Sequence, residues 1–104
     1  MINYLVILTG LHLAPPGSRY CDNGRSVSKQ ECENAAKNFF PTPSRNLQLG
    51  SGCSNGWKYV PLGCSVQSRG DGSAHYKVSE DVNCPSSHVN YQVVCRNDGK
   101  FLCI

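Results

Sequence analysis

The sequence predicts a small α+β domain in which one helix, about residues 29–40, is disulfide-clamped onto a small antiparallel sheet of three to five short strands. Three observations predict it. Seven cysteines stand among 104 residues, and six of them form three couples with ten residues between partners (Cys21 and Cys32, Cys53 and Cys64, Cys84 and Cys95). One segment carries a helical apolar period behind a capping residue. Several short stretches after it alternate with a period of two and are bounded by Gly, Pro, Asn and Asp.

The cysteines fix the class. No Cys-x-x-Cys occurs, so the pattern points to covalent cross-links rather than to metal or redox chemistry, and to an extracellular, secreted compartment where such links persist. Length implies a single domain. With residues 1–20 read as a leader, residues 21–104 form one cysteine-rich domain too small for a comfortable apolar core. Three bridges at about 2–4 kcal/mol each would supply the missing stability. Net charge is +3, and the ten basic residues are scattered from Arg19 to Lys100. They form no stripe along which a phosphate backbone would track, which argues against a nucleic-acid partner.

Taken in order, the chain opens on an apolar run, Ile2 to Ala14. It is too short to span a bilayer as a helix, and its length suits the apolar region of a secretory signal. No Lys or Arg precedes it and Pro15-Pro16 follows it, so a first strand at Tyr4–Leu8 or a precursor remnant stands beside the signal reading. Ser28 caps the helix, and Glu31 completes a Ser-x-x-Glu capping pattern. Cys32, Ala35, Ala36 and Phe39 share one face, and Pro41 and Pro43 stop the helix. Residues 42–56 read as a polar loop.

Three short strands are then expected: Trp57–Val60 leading through Pro61-Leu62-Gly63 into Cys64–Gln67, then Ala74–Val78, then Tyr91–Arg96, with a final edge strand from Phe101 to Ile104. In the second, Ala74, Tyr76 and Val78 alternate with His75 and Lys77; in the third, Tyr91, Val93 and Cys95 alternate with Gln92 and Val94. Ser68–Ser73 reads as a hairpin loop and Asn97–Lys100 as another turn. Cys-Asp-Asn-Gly at 21–24 echoes Cys-Ser-Asn-Gly at 53–56. The intervals after them run into different elements, so no internal repeat is inferred.

Counting leaves the connectivity open. Placement narrows it. Cys32 on the buried helix face should meet a strand cysteine, for which Cys64 is the first choice. Cys21 would then meet Cys95, and the loop cysteines Cys53 and Cys84 pair by elimination. Cys103 is left unpaired, joins a second chain through an intermolecular disulfide, or displaces one of these partners. A zinc site using cysteines with His75 or His88 lacks the short ligand pairs such sites use.

The helix SKQECENAAKNFF (28–40) and the stretch WKYVPLGCSVQSRGDGSAHY (57–76) together resemble a cysteine-rich domain of secreted or surface proteins of marine protists and some invertebrates. In that domain a helix cysteine, a Gly-Cys strand and a closing Tyr-x-x-x-Cys (here Tyr91 to Cys95) recur. The resemblance covers residues 21–95. This chain departs from it at Lys77, where an Asn is usual, and Cys53, Cys84 and Cys103 look like additions. The architecture is also similar to the PAN/apple module. Both resemblances imply an extracellular recognition or structural module, with no catalytic residue carried over.

Candidate ligand contacts are Arg69-Gly70-Asp71, which spells the cell-adhesion tripeptide in a hairpin loop, and the aromatic residues Trp57, Tyr59, Tyr76 and Tyr91, whose rings suit sugar stacking. Within that set Trp57 and Tyr76 are the expected ligand contacts. The chain shows no His-Glu-x-x-His and no phosphate-cradling loop. The expectation is a non-enzymatic module that binds an extracellular protein or glycan, without a cofactor and without a membrane partner. The alternative is a secreted cysteine-rich effector, a toxin or antimicrobial, which would show a clustered basic-apolar face.

Overall fold

The computed structural model describes residues 5–8, 10–54, 56–81, 83–97 and 100–103; for 5–8 and 100–103 it describes the backbone alone. Among these residues lie one helix and eight short strands: β1 (Leu5–Leu8), β2 (Leu11–Leu13), β3 (Arg25–Ser26), α1 (Lys29–Lys37), β4 (Gln48–Gly50), β5 (Gly63–Val66), β6 (Ala74–Lys77), β7 (Gln92–Arg96) and β8 (Lys100–Cys103). The class is α+β, one helix on a mixed sheet of six short strands, with three disulfides.

The six-stranded sheet runs β2-β7-β5-β6-β4, and β3 adds to β7 beyond the end of β5. β1 and β8 form a separate antiparallel pair. The apolar opening segment therefore supplies two strands in the described region. Leu11–Leu13 pair with β7 and Ala14 is fully buried. Tyr4, expected to begin the first strand, lies outside the described residues, as do Asp98, Gly99 and Ile104 of the expected last turn and strand.

Two expectations about the sheet need correction. It is not wholly antiparallel, because β4 pairs parallel with β6, Gln48 opposite His75. β4 precedes the β5–β6 hairpin and is separated from it by residues 51–62, so the chain reaches β6 by a crossover, the connection that permits parallel pairing. Nor is Trp57–Val60 a strand. It is a turn closed by Trp57 N–H to the Ser54 carbonyl (3.0 Å) and Val60 N–H to the Trp57 carbonyl (3.3 Å).

α1 forms for the reasons its sequence gives. The Ser28 hydroxyl oxygen accepts from Glu31 N–H at 3.3 Å, and the hydroxyl donates to the Glu31 carboxylate at 3.1 Å. Only half of the reciprocal capping pattern is made, because Glu31 also pairs with Arg96 of β7. The helix ends at Lys37 rather than at residue 40. Asn38 caps it, and the Phe40 N–H returns to the Ala36 carbonyl (3.0 Å). Phe40 precedes Pro41, whose ring disfavours helical backbone at the preceding residue, so the last turn unwinds early.

The buried face of α1, Cys32, Ala35 and Ala36, packs on Cys64, Val66, Ala74 and Val94 of the sheet, with Phe39, Phe40, Leu47 and Tyr76 at the margins. These are mostly small side chains, and the Cys32–Cys64 disulfide runs through the centre of the contact with Cα atoms 5.6 Å apart. Cys21–Cys95 ties the segment before α1 to β7 (Cα 5.8 Å), and Cys53–Cys84 joins two loops over the opposite face (Cα 5.5 Å). The bonding state assigned to Cys103 concerns a side chain outside the description.

Gly63 opens β5 with φ +80°, and a Cβ there would come within 2.8 Å of the Ser26 hydroxyl. That hydroxyl accepts from Cys64 N–H. Gly63→Val is expected to cost about 2–3 kcal/mol, through strain at positive φ together with loss of this contact. Pro61→Ala, in a buried turn, should cost less. Urea denaturation of the two variants measures the order.

Candidate ligand-binding cavity

The sheet is covered on both faces, and the second face holds the candidate site. Along β6, Ala74 and Tyr76 point toward α1, so His75 and Lys77 point away from it. The alternation places these residues on opposite faces, yet His75 (5% exposed) and Lys77 (1%) are buried, while Val78 is 61% exposed. The reason is the Cys53–Cys84 bond. It draws residues 51–54, 56–61 and 84–91 over the polar side of the sheet and makes a second interior there.

In that layer the His75 ring stands edge-on between two others, Trp57 at 5.6 Å and Tyr91 at 5.4 Å between centroids. Together they wall an open cavity of about 340 Å³, with Val60 in its lining. Arg45, Gln48 and Gln67 supply the polar groups around it. Gly50 of β4 lies against the Trp57 indole, with no room for a Cβ.

The electrostatics of the cavity are nearly neutral. Burial pushes the His75 pKa below its ordinary value near 6.5, against the opposing influence of its bond to the Ser73 carbonyl (Nδ1 to O, 3.2 Å). The imidazole is therefore neutral at pH 7, with Nδ1 carrying the hydrogen and Nε2 an acceptor. Arg45 is paired. Its Nε donates to Asp71 at 2.6 Å, and Nη2 donates to Gln67 (3.0 Å) and to the Ser73 hydroxyl (3.2 Å). Burial alone would raise the Asp71 pKa, but hydrogen bonds from Arg45 and Ser73 outweigh it and hold the carboxyl well below the usual range. Burial likewise raises the Tyr91 pKa.

His75 gives a pH prediction. Its folded-state pKa is depressed, so the unfolded chain binds more protons and stability falls as pH drops through about 6.5 toward the folded value. The thermal midpoint should decline between about pH 7 and pH 5, and His75→Gln should flatten that decline.

The sequence-derived candidates separate in space. Arg69 and Gly70 are exposed at the apex of the β5–β6 hairpin, where Gly70 N–H closes a turn onto the Gln67 carbonyl (3.1 Å). Asp71 turns back instead, accepting from Arg45, from Ser73 N–H (2.9 Å) and from the Ser73 hydroxyl (2.6 Å). Its carboxylate is thus engaged within the fold. The four aromatic residues do not make one platform. Trp57 and Tyr91 flank His75, whereas Tyr59 is exposed and meets His88 edge-on at 5.8 Å. Tyr76 lies on the α1 side, beside a separate groove of about 490 Å³ lined also by Arg19, Tyr20 and Arg25.

Sequence reasoning missed Arg45, Gln48, Gln67 and the central place of His75. Their positions depend on β4 and on which loops the third disulfide folds over the sheet. Among the described residues one further cluster holds metal-ligating residue types: His12, Asp22 and Cys95. Cys95 is bonded to Cys21, so its sulfur is not a thiolate, and the other two pair with each other at 2.9 Å. Among the described residues no helix is long and apolar enough to cross a membrane. Comparisons with protein-family models, with curated proteins and with solved structures return no match.

Proposed function

We propose that this chain is a secreted, disulfide-stabilised recognition module that binds a neutral carbohydrate in the cavity walled by Trp57, His75 and Tyr91. The observation that carries the reading is that row of three rings beside Arg45, Gln48 and Gln67. Apolar C–H faces of a sugar ring stack on aromatic rings, while planar amide and guanidinium groups direct hydrogen bonds to its hydroxyls. The cavity's size is at the lower end of small-ligand sites, about 300–1,000 Å³, which suits one or two sugar rings. Pairing of Arg45 with Asp71 and the neutral His75 leave no net charge to favour an acidic sugar. Three disulfides support the extracellular assignment.

Trp57 is the chain's one tryptophan, so its fluorescence reports the site directly. A glycan array with the oxidised domain, followed by fluorescence titration of each hit, tests the reading. Binding of neutral glycans that shifts the Trp57 emission and is lost in Tyr91→Ala supports it. An array without hits, or hits that Tyr91→Ala leaves unchanged, overturns it. The groove beside Tyr76 favours a second reading, the secreted effector. There Arg25, together with Arg19 in its pair with Glu80, lies near exposed Tyr20 (62%) and Val78 (61%), a basic-apolar combination suited to an anionic lipid surface. Leakage of anionic vesicles, abolished by Tyr20→Glu, would support it.

A further inference from the structure

We propose that the Cys53–Cys84 disulfide is a thiol-exchange site, with Cys53 the sulfur attacked and Cys84 the leaving group that the buried Lys77 stabilises. Lys77 is 1% exposed, and its Nζ donates to the carbonyls of Trp57 (2.9 Å) and Val60 (3.1 Å), to the Ser86 hydroxyl (3.0 Å) and to Cys84 Sγ (3.2 Å). Four acceptors around one nitrogen suit an ammonium, which has three hydrogens to donate, better than a neutral amine with two. None of the four is an anion. Burial works against the charge, Glu80 and Asp81 favour it from a distance, and Arg19 opposes it. Glu80 is itself paired with Arg19 at 3.0 Å. The ammonium is thus buried without a contacting counter-ion, and a thiolate at Cys84 would supply one.

The reaction is a balanced exchange. An incoming thiolate, from a small thiol or from the dithiol of an oxidoreductase, forms a bond to Cys53 Sγ. The Cys53–Cys84 bond breaks, and its electron pair leaves on Cys84 as a thiolate beside Lys77. A second thiolate then displaces Cys53 from the mixed disulfide, oxidising the two incoming thiols and reducing the pair. Leaving-group ability rises as the departing thiol's pKa falls, and a neighbouring ammonium lowers it. The Lys58 and Gly52 carbonyls, 3.3 and 3.6 Å from Cys84 Sγ, favour the protonated thiol instead, but they are neutral and the ammonium is charged. Exposure assigns the direction of attack, since Cys53 is half-buried and Cys84 is 2% exposed. Cys32 and Cys64 are both fully buried in the α1 contact, and the Cys95 sulfur lies within 4.8 Å of a ring nitrogen of His12, which is itself paired with Asp22.

Two measurements test it, both in a Cys103→Ser background that removes the seventh thiol. In the first, the oxidised protein is titrated with glutathione, quenched by alkylation and mapped by mass spectrometry. Cys53–Cys84 should open first, with glutathione captured on Cys53; opening of either other bond first or simultaneously, or capture on Cys84, overturns the proposal. In the second, Cys53→Ser leaves Cys84 as the single thiol, and its ionisation is followed by thiolate absorbance at native fold, verified by melting. The midpoint should lie at least one unit below about 8.5, the free cysteine value, and Lys77→Met should raise it by at least one unit. A midpoint at or above 8.5, or one that Lys77→Met does not move, overturns the role of Lys77.

Discussion

Replacing Cys32 and Cys64 together with alanine should lower the unfolding free energy by about 4 kcal/mol. The two residues are 32 apart in sequence, and for a loop of that length the loss of unfolded-chain entropy caused by the bond corresponds to about 3.5–4 kcal/mol. Both sulfurs are fully buried between α1 and β5, so their removal also withdraws packing from the contact that holds the helix. In a domain of this size such a loss corresponds to a fall in thermal midpoint of about 20 °C. Cys53 and Cys84 are 31 apart, so removing their bond alters the unfolded chain almost equally. Any excess cost at Cys32–Cys64 isolates the folded-state contribution of the helix contact. A midpoint shift under about 5 °C at Cys32–Cys64 would mean that apolar packing alone retains α1.

Gly50→Ala should cost less in stability and should strike the cavity first. An added Cβ at residue 50 would overlap the Trp57 indole, and the indole has little freedom to retreat. Its own backbone carbonyl is held by Lys77, and its ring lies edge-on to His75. Overpacking of this kind costs about 1–3 kcal/mol. The displaced ring should change the fluorescence of Trp57 and, on the proposed function, weaken glycan binding, even at temperatures where the variant remains folded. Unchanged Trp57 emission would show that the two residues are not in contact.

What the sequence disclosed follows the range of the interactions involved. α1 was legible because its determinants are local: Ser28 and Glu31 at one end, the Cys32-Ala35-Ala36 face, and prolines after it. Its last turn was not, because the effect of Pro41 reaches back to Phe40. β6 and β7 showed their alternation, and the hairpin at 68–73 showed its glycines. β4 was hidden because Gln48-Leu49-Gly50 has no alternating pattern and is held by a parallel partner far along the chain. Trp57 and Tyr59 carry strand propensity, yet the segment is a turn because its carbonyls serve Lys77. Burial of His75 and Lys77 was illegible for the same reason. Alternation shows which residues share a face, and only the loops joined by Cys53–Cys84 make both faces interior. The cavity therefore depends on the least predictable parts of the chain, although three of its wall residues are aromatic or imidazole side chains in recognised segments.

The most direct measurement of the whole account compares melting of the native oxidised protein with that of the same protein fully reduced and alkylated. Small side chains around α1 and a polar layer around Lys77 leave the three disulfides as the main source of stability. The oxidised protein should melt in one cooperative transition, and the reduced protein should show none above about 20 °C, with the far-ultraviolet signature of an unfolded chain. A cooperative transition in the reduced protein within a few degrees of the oxidised one would contradict the account.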